Sequence, residues 1–361
     1  MRDRPETDLA RTFRRLIDQH GPMPVLRYMG ESNARYYTTR DPLGAAGDFT
    51  TAPEISQMFG EMAGLWLADI WVRAGRPANP IYVELGPGRG TLAKDALRAM
   101  ASQGLRPDVH LVEGSEALRK VQGGVLAGAQ FHDTIDSVPD GRPILLLANE
   151  FLDALPIRQL IMTEVGWRER MVGIEGGEFA FVSGPNSMDD AVPEAQRAAP
   201  AGTVIETCPG AAALVEAVAR RIDVQGGAAL FIDYGHVDAR SGSTLQAVKS
   251  HEKLDVFDAP GEMDLTAHVD FATLDTIARR EGLASSLTTQ GAWLGAMGIA
   301  LRAKALAKAS PSRADEIEVA VERLVQPDAM GELFKCLAIT ARDWPRGAAF
   351  PEGERRKPEA T

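Results

Sequence analysis

The sequence predicts an α/β protein built on a doubly wound, mostly parallel sheet, with N-terminal helical, central β-meander and C-terminal helical insertions. Three observations point there. Between residues 81 and 148, short apolar runs of strand length alternate with amphipathic stretches of helix length, and such alternation places helices on both faces of a parallel sheet. The first apolar run leads straight into Gly86-Pro87-Gly88-Arg89-Gly90, a turn that only glycine-rich backbone makes easily. The alternation then stops at about residue 157 and resumes after about residue 205.

Taken in order, residues 7–20 read as an amphipathic helix with Leu9, Phe13, Leu16 and Ile17 on one face. Residues 21–50, rich in Gly, Pro, Tyr and Thr, read as irregular. Thr51-Ala52-Pro53-Glu54 resembles a helix start with Pro53 in the first turn, and residues 55–72 are the helix. Strands follow at 81–85, 109–112 and 144–148, with a short one near Gln130-Phe131, and helices at 91–102 and 115–121 lie between them. Three β-rich segments in 157–183, separated by Gly166 and Gly176-Gly177, read as an antiparallel meander. A loop at 184–202, a helix at 211–222, a strand at 228–233, a loop-like span at 236–265 and a helix at 271–281 complete the pattern. The expected organisation is a cap segment at 1–75, a core at 76–290 with a β insertion at 157–205, a helical insertion at 291–345 returning to the core, and a frayed tail at 346–361.

Composition narrows the function classes. With 45% hydrophobic and 25% charged residues over 361 positions, the chain can bury a sizeable core. A net charge of -11 without any long Lys/Arg run argues against nucleic acid as the main partner. Cys208 and Cys336 lie far apart and form no CxxC pattern, so neither a disulfide framework nor a structural zinc site is expected. A reducing compartment, the cytoplasm, is the simplest reading. Residues 1–19 have no apolar stretch of the secretory kind, and no run of 18 apolar residues predicts a membrane span. His110, His132, His236, His251 and His268 are scattered and predict no metal site.

The strongest local motif is Glu84-Leu85-Gly86-Pro87-Gly88-Arg89-Gly90, which follows a strand and opens a helix. Backbone N–H groups and the positive end of the helix dipole face whatever ligand approaches there. A P-loop is excluded, because Lys94 sits four residues past the last glycine and no Lys-Ser/Thr pair follows it. A dinucleotide turn wants its third glycine one residue later, where Thr91 stands. The pattern acidic-x-Gly-x-Gly-x-Gly is similar to the first motif of class I methyltransferases, in which the acid meets a methionyl ammonium. A turn that binds nothing, an NAD-type turn and a methyltransferase turn all stay open on this motif alone.

Glu113 ends the second strand, where a carboxylate accepts ribose hydroxyls. Such an acid marks a nucleoside without choosing which. His132 and Asp133 follow the short third strand, and Asp133 is placed to accept from an adenine amine. The fourth strand runs into Asn149-Glu150-Phe151-Leu152-Asp153-Ala154-Leu155-Pro156. In an open α/β sheet the ligand crevice lies beyond the strands' carboxyl ends, so Asn149, Glu150 and Asp153 are the candidate catalytic group, able to hold a guanidinium or amine. The alternative for Asp153 is a cap for the next segment. Asp233-Tyr234-Gly235-His236 repeats the strand-end geometry. Upstream, Asp48, Thr50, Thr51, Pro53, Glu54, Ser56 and Gln57 crowd polar groups around a helix start, as a cap or as part of a substrate site.

Taken together, Gly47-Asp48-Phe49-Thr50-Thr51-Ala52-Pro53-Glu54 with Ser56-Gln57 and Phe59-Gly60-Glu61, the glycine turn, the Asn149–Pro156 cluster, Asp233-Tyr234-Gly235-His236 and Asp264 through Phe271 resemble the MidA family in the same order. That family includes the mitochondrial assembly-factor methyltransferases of respiratory complex I. The resemblance covers roughly residues 20–340. It implies a class I methyltransferase fold with S-adenosylmethionine as cofactor, held by Glu84, Gly86, Pro87, Gly88, Gly90, Glu113, His132, Asp133 and Asn149. It further implies a protein substrate whose arginine guanidinium accepts the methyl group, with Glu150 orienting it and Asp153 in support. A non-catalytic assembly factor that keeps the cofactor pocket is the alternative, and an NAD-dependent oxidoreductase is the lesser one. The helices at 291–345 are expected to serve either a homodimer contact or substrate docking.

Overall fold

The computed structural model describes residues 6–39, 50–249 and 252–351. The chain divides into two compact units and crosses between them repeatedly: one comprises 1–49, 152–213 and 236–270, the other 50–151, 214–235 and 271–361.

The second unit holds the main sheet. Its strands are β1 (Ile81–Leu85), β2 (Asp108–Val112), β3 (Gln130–His132), β4 (Ile144–Asn149), β5 (Gly227–His236), β6 (Ala284–Thr289) and β7 (Phe334–Thr340), ordered β6-β7-β5-β4-β1-β2-β3. β1 pairs in parallel with β2 and β4, β2 with β3, and β4 with β5. β7 runs antiparallel, between β5 and β6. The expected doubly wound, mostly parallel sheet of the class I methyltransferase type is therefore present. β1 and β4 are buried at every position, as strands covered on both faces are. The chain proceeds outward from β1 to β3 and then returns to the other side of β1 as β4. This reversal puts a topological switch point between the carboxyl ends of β1 and β4, where crevices form in open sheets.

Helices α1 (Gln57–Arg73), α2 (Thr91–Ser102) and α3 (Glu116–Val125) belong to the same unit. The α1–α2 contact is unusually close. A Cβ built on Gly64 lies 2.3 Å from the Ala96 carbonyl oxygen, and one on Gly60 lies 2.7 Å from the Asp95 Cβ. Alanine is favoured over glycine in a helix by about 1 kcal/mol. The atom it would strike at position 64 is backbone and cannot rotate away, and overpacking costs about 1–3 kcal/mol or more. Gly64→Ala is thus expected to destabilise the protein, seen as a lower chemical-denaturation midpoint at unchanged slope. An unchanged or higher midpoint would show that α2 shifts freely.

In the first unit the helix Asp8–His20 buries Ala10, Phe13 and Ile17 and is capped by Thr7, whose hydroxyl accepts from the Ala10 N–H at 3.0 Å. The expected meander is formed by Arg158–Thr163, Gly166–Glu175 and Glu178–Ser187, paired antiparallel and joined by Val204–Thr207 and Met23–Pro24. Phe13, Tyr28, Met29, Val172, Ala247 and Leu265 are buried together in its core.

Four expectations about elements need correction. Residues 21–50 were expected to be irregular, yet Val25–Thr39 is a helix. Its buried face is Val25, Tyr28, Met29, Ser32, Asn33 and Tyr36. The helical spacing is there, but Ser32 and Asn33 carry a third of it and read as loop formers. Asn33 earns its burial by donating to the Leu265 and Ala154 carbonyls at 2.7 and 2.9 Å and accepting from the Leu265 N–H at 3.0 Å. The span 236–265, expected to be a loop, contains the antiparallel strands Gln246–Lys249, Glu252–Leu254 and Asp264–Thr266. The stretch 291–345, expected to be helical, ends in β7, and β6 precedes it. The expected loop at 184–202 begins inside the strand Glu178–Ser187. Of these, β6 and β7 carry the buried polar residues Ser285, Ser286 and Thr340 and pair with segments distant in sequence, which give them strand form.

Candidate active site

β1 delivers Glu84 to the turn almost fully buried, 2% exposed, where it accepts a hydrogen bond from the Tyr82 hydroxyl. Burial pushes its carboxyl up to about 8, with the Tyr82 bond only partly opposing. Among the described residues no cationic side chain pairs with it. An uncompensated buried acid is costly in a fold and suits a cation that arrives with a ligand. The next residues turn sharply: Gly86, Gly88 and Gly90 have φ of 60°, 54° and 80°, the left-handed region that glycine enters without strain. The Gly86 N–H donates to the Val112 carbonyl at 3.0 Å and the Gly90 N–H to the Pro87 carbonyl at 2.7 Å. Pro87 is buried, and Gly90 stands at the N-cap of α2.

At the tip of β2, Glu113 is half-buried. Its Oε1 accepts from the Ser115 N–H at 2.8 Å and its Oε2 from the Gln122 amide at 3.1 Å. The same Gln122 nitrogen donates to the Gly88 carbonyl at 2.8 Å. Burial raises the Glu113 carboxyl above its ordinary range. The Glu113 N–H donates to the His132 carbonyl at 3.0 Å, so the β2 and β3 tips are tied together. His132 Nε2 shares a proton with Nδ1 of buried His110 at 2.9 Å, and burial lowers both imidazoles below their usual range. Asp133 is exposed and pairs with Arg119 at 2.5 Å.

Beyond β4, Asn149 is buried and Glu150 half-buried. Glu150 has φ 49°, a left-handed conformation that costs a non-glycine residue about 1–3 kcal/mol and that recurs at functional sites. The surroundings hold it there. Glu150 Oε1 accepts from the Ala52 N–H and from the Asn149 amide, both at 3.0 Å, and the Glu150 N–H donates to the Ile232 carbonyl at 2.9 Å. Buried Asp233 clasps the neighbouring chain, accepting from the Phe151 N–H at 3.1 Å and the Tyr234 N–H at 2.9 Å. The Asn149 Oδ1 is buried without a partner. The Phe151 ring lies against the glycine turn: a Cβ on Gly86 would stand 2.5 Å from it. The two sequence clusters, glycine turn and Asn149–Phe151, thus meet at the switch point.

Other expected site residues are placed differently. Glu54 accepts from the Thr91 hydroxyl at 2.6 Å, Ser56 caps α1 through the Met58 N–H at 3.2 Å, and Gln57 donates to Glu61 at 3.1 Å. Pro53 is buried, while Thr50 and Thr51 are half-buried. Asp153 and His236 belong to the first unit, Asp153 buried and His236 bonded to the Asp238 carbonyl at 2.9 Å. Asp48 lies outside the described residues. Tyr82, Gln122, Phe151 and the Ala52 N–H escaped the sequence reading. Only the Tyr82-x-Glu84 spacing, two residues apart on one strand face, signalled its contact.

The residues fit a nucleoside with a cationic amino-acid arm: a buried acid without a cation, a turn of three left-handed glycines, a half-buried strand-tip acid and an orphaned Asn149 oxygen. A model of the S-adenosyl-L-methionine-dependent methyltransferases of this kind matches residues 62–289. The chain belongs to that family. A zebrafish (Danio rerio) protein named protein arginine methyltransferase NDUFAF7, mitochondrial, is 36% identical over 89% of this chain and 85% of its own length. The human protein of the same name is 34% identical over 99% of this chain and 89% of its own. A crystal structure from Burkholderia thailandensis with S-adenosyl-homocysteine bound superposes with TM-score 0.83 at 29% identity, over 96% of this chain and 95% of that one. The methyltransferase family read from the motifs is borne out, and with it S-adenosylmethionine as cofactor. The NAD reading of the turn is set aside. Among the described residues no helix of this methyltransferase is long and apolar enough to cross a membrane.

Proposed function

We propose that this methyltransferase modifies the guanidinium group of a protein arginine, with Glu150 holding the acceptor. The observation that carries the reading is Glu150 itself: a carboxylate kept at φ 49° at the switch point by the Ala52 N–H and the Asn149 amide. Strain maintained by its surroundings fits a group whose position is its purpose. The relatives named protein arginine methyltransferases support the choice of guanidinium over other acceptors.

In this reading Glu84, Gly86, Pro87, Gly88, Gly90, Glu113, His132, Asp133 and Asn149 hold the cofactor. S-adenosylmethionine supplies a methyl group already activated by its sulfonium. What remains for the protein is positioning. Glu150 pairs with the guanidinium through charge-assisted hydrogen bonds, points one nitrogen toward the methyl, and takes up the charge that develops there. Asp233 keeps the loop in place. Asp153 supports the segment that follows, and Thr50, Thr51, Pro53, Glu54, Ser56, Gln57 and Tyr234 serve the cap or the substrate approach. The acceptor we favour is a subunit of respiratory complex I, met in the cytoplasm, where the unpaired Cys208 and Cys336 remain reduced.

The test is incubation of the protein with S-adenosylmethionine and isolated complex I subunits, followed by mass spectrometry of every methylated peptide. Methylated arginine is the expected product. Methyl groups on another residue type would refute the guanidinium assignment. Tight cofactor binding without transfer to any subunit would favour the non-catalytic assembly factor.

A further inference from the structure

Gln122 is fully buried on α3. Its amide nitrogen donates both to the Gly88 carbonyl, at 2.8 Å, and to Glu113 Oε2, at 3.1 Å. Both partners are pure acceptors, so the amide has one permitted orientation: a half-turn would set its oxygen against a carbonyl and a carboxylate. The Gln122 Oε1 is left buried without a partner. An unpaired buried acceptor is unfavourable, and an apolar residue would fill this position without it. Packing therefore does not explain a glutamine here. What its nitrogen does is join two elements that are separate in sequence, the glycine turn after β1 and the acid at the tip of β2.

We infer that Gln122 is a positioning residue for the cofactor: by holding the Gly88 carbonyl and the Glu113 carboxylate together, it sets the spacing between the turn and the ribose-binding acid. The inference rests on the proposed cofactor roles of Glu113 and the glycine turn. The other groups facing Glu113 are the Ser115 N–H on Oε1, the Gly114 N–H, and Arg119, whose Nε donates to the Glu113 carbonyl at 2.6 Å while its far end pairs with Asp133. None of them reaches the Gly88 carbonyl in the described contacts, so none replaces Gln122.

The chemistry suggests a variant whose behaviour depends on pH. In Gln122→Glu a protonated side chain still donates one hydrogen bond, whereas an ionised one faces two acceptors and repels Glu113. Burial keeps the introduced acid protonated to above the usual carboxylate range. S-adenosylhomocysteine affinity is measured by calorimetry at pH 5 and pH 8 for wild type, Gln122→Glu, Gln122→Met and Glu113→Ala, with thermal melts of each. Relative to wild type at the same pH, Gln122→Glu should bind within about threefold at pH 5 and about 10- to 100-fold more weakly at pH 8, the factor expected for losing a hydrogen bond to a charged group. Gln122→Met should bind about tenfold more weakly at both pH values. Binding within threefold of wild type by both Gln122 variants at both pH values overturns the inference. If Gln122→Glu does not fold, Gln122→Met alone decides on the same threshold. Should Glu113→Ala bind like wild type, the ribose assignment beneath the inference fails instead.

Discussion

Glu150→Gln is expected to lower methyl transfer by about 10²–10³-fold, the range seen when a preorganised electrostatic group is removed from a reacting centre. Binding of S-adenosylhomocysteine should stay within about threefold of wild type, because uniform binding and transition-state stabilisation are separable. The substitution is chosen for its shape. A glutamine oxygen can still accept from the Ala52 N–H and the Asn149 amide, which both meet Glu150 Oε1 at 3.0 Å, and the Glu150 N–H bond to the Ile232 carbonyl at 2.9 Å is untouched. The loop therefore keeps its left-handed residue and its place beside the glycine turn. What is lost is the negative charge, the feature an arginine acceptor needs from this position. Transfer rates within tenfold of wild type, with cofactor binding intact, would remove Glu150 from the reaction and leave its strained backbone without a catalytic explanation.

The contrast with Asp233 sharpens the expectation. Asp233 is buried and both its oxygens are engaged by backbone N–H groups of Phe151 and Tyr234, so its role is to hold the loop. Asp233→Asn presents an NH₂ group toward one of those two donors. It should therefore reduce stability and transfer together, by about 1–3 kcal/mol in unfolding free energy, whereas Glu150→Gln reduces transfer alone. Comparing denaturation midpoints with single-turnover rates for the two variants separates a loop-holding carboxylate from an acceptor-binding one. A stable but inactive Asp233→Asn would show that Asp233 faces the acceptor instead.

Much of this was legible in sequence, for a physical reason. The glycine turn, Glu84, Glu113 and the Asn149–Glu150 pair all sit where an apolar strand stops, and strand ends are marked locally by composition. Alternation made the mostly parallel sheet legible, but not the strand order, because β4 returns to the far side of β1 and does not pair with β3. Contacts made by residues far apart left no such trace. Gln122 looks like an ordinary solvated helix position until α3 is packed against the turn. Phe151 looks like any core aromatic until β4 is set beside β1. The helix Val25–Thr39 was hidden because Ser32 and Asn33, buried for their hydrogen bonds, occupy its inner face. β7 was hidden because its pairing with β5 and β6 joins segments about a hundred residues apart in one case, and strand form there comes from the partners.

Cofactor binding near neutral pH is expected to release about one proton, and Glu84 is its source. In the free protein this acid is almost wholly buried, bonded by the Tyr82 hydroxyl, and raised by burial to about 8, so it is mostly protonated at pH 7. If it meets the methionyl ammonium, an opposite charge within a few ångström lowers its pKa by roughly 1–3 units, and the carboxyl ionises as the ligand binds. The sign follows: affinity for S-adenosylhomocysteine rises with pH up to about 8 and then levels. Calorimetry in two buffers of different ionisation enthalpy reads the proton directly. Glu84→Gln should abolish the buffer dependence and weaken binding by about 10- to 100-fold. The same ionisation acts on stability in the opposite sense. Between the ordinary 4.5 and about 8 the folded chain binds more protons at this site than the unfolded chain, so its contribution is complete below about 4.5 and is lost as pH rises through 8. Without ligand, Glu84→Gln should therefore gain on wild type by roughly 2–4 kcal/mol between pH 5 and pH 8. An acid that weakens the empty fold and strengthens the filled one is what a buried ligand-binding carboxylate implies. A binding enthalpy independent of buffer would show that the ammonium lies elsewhere and that Glu84 serves the turn alone.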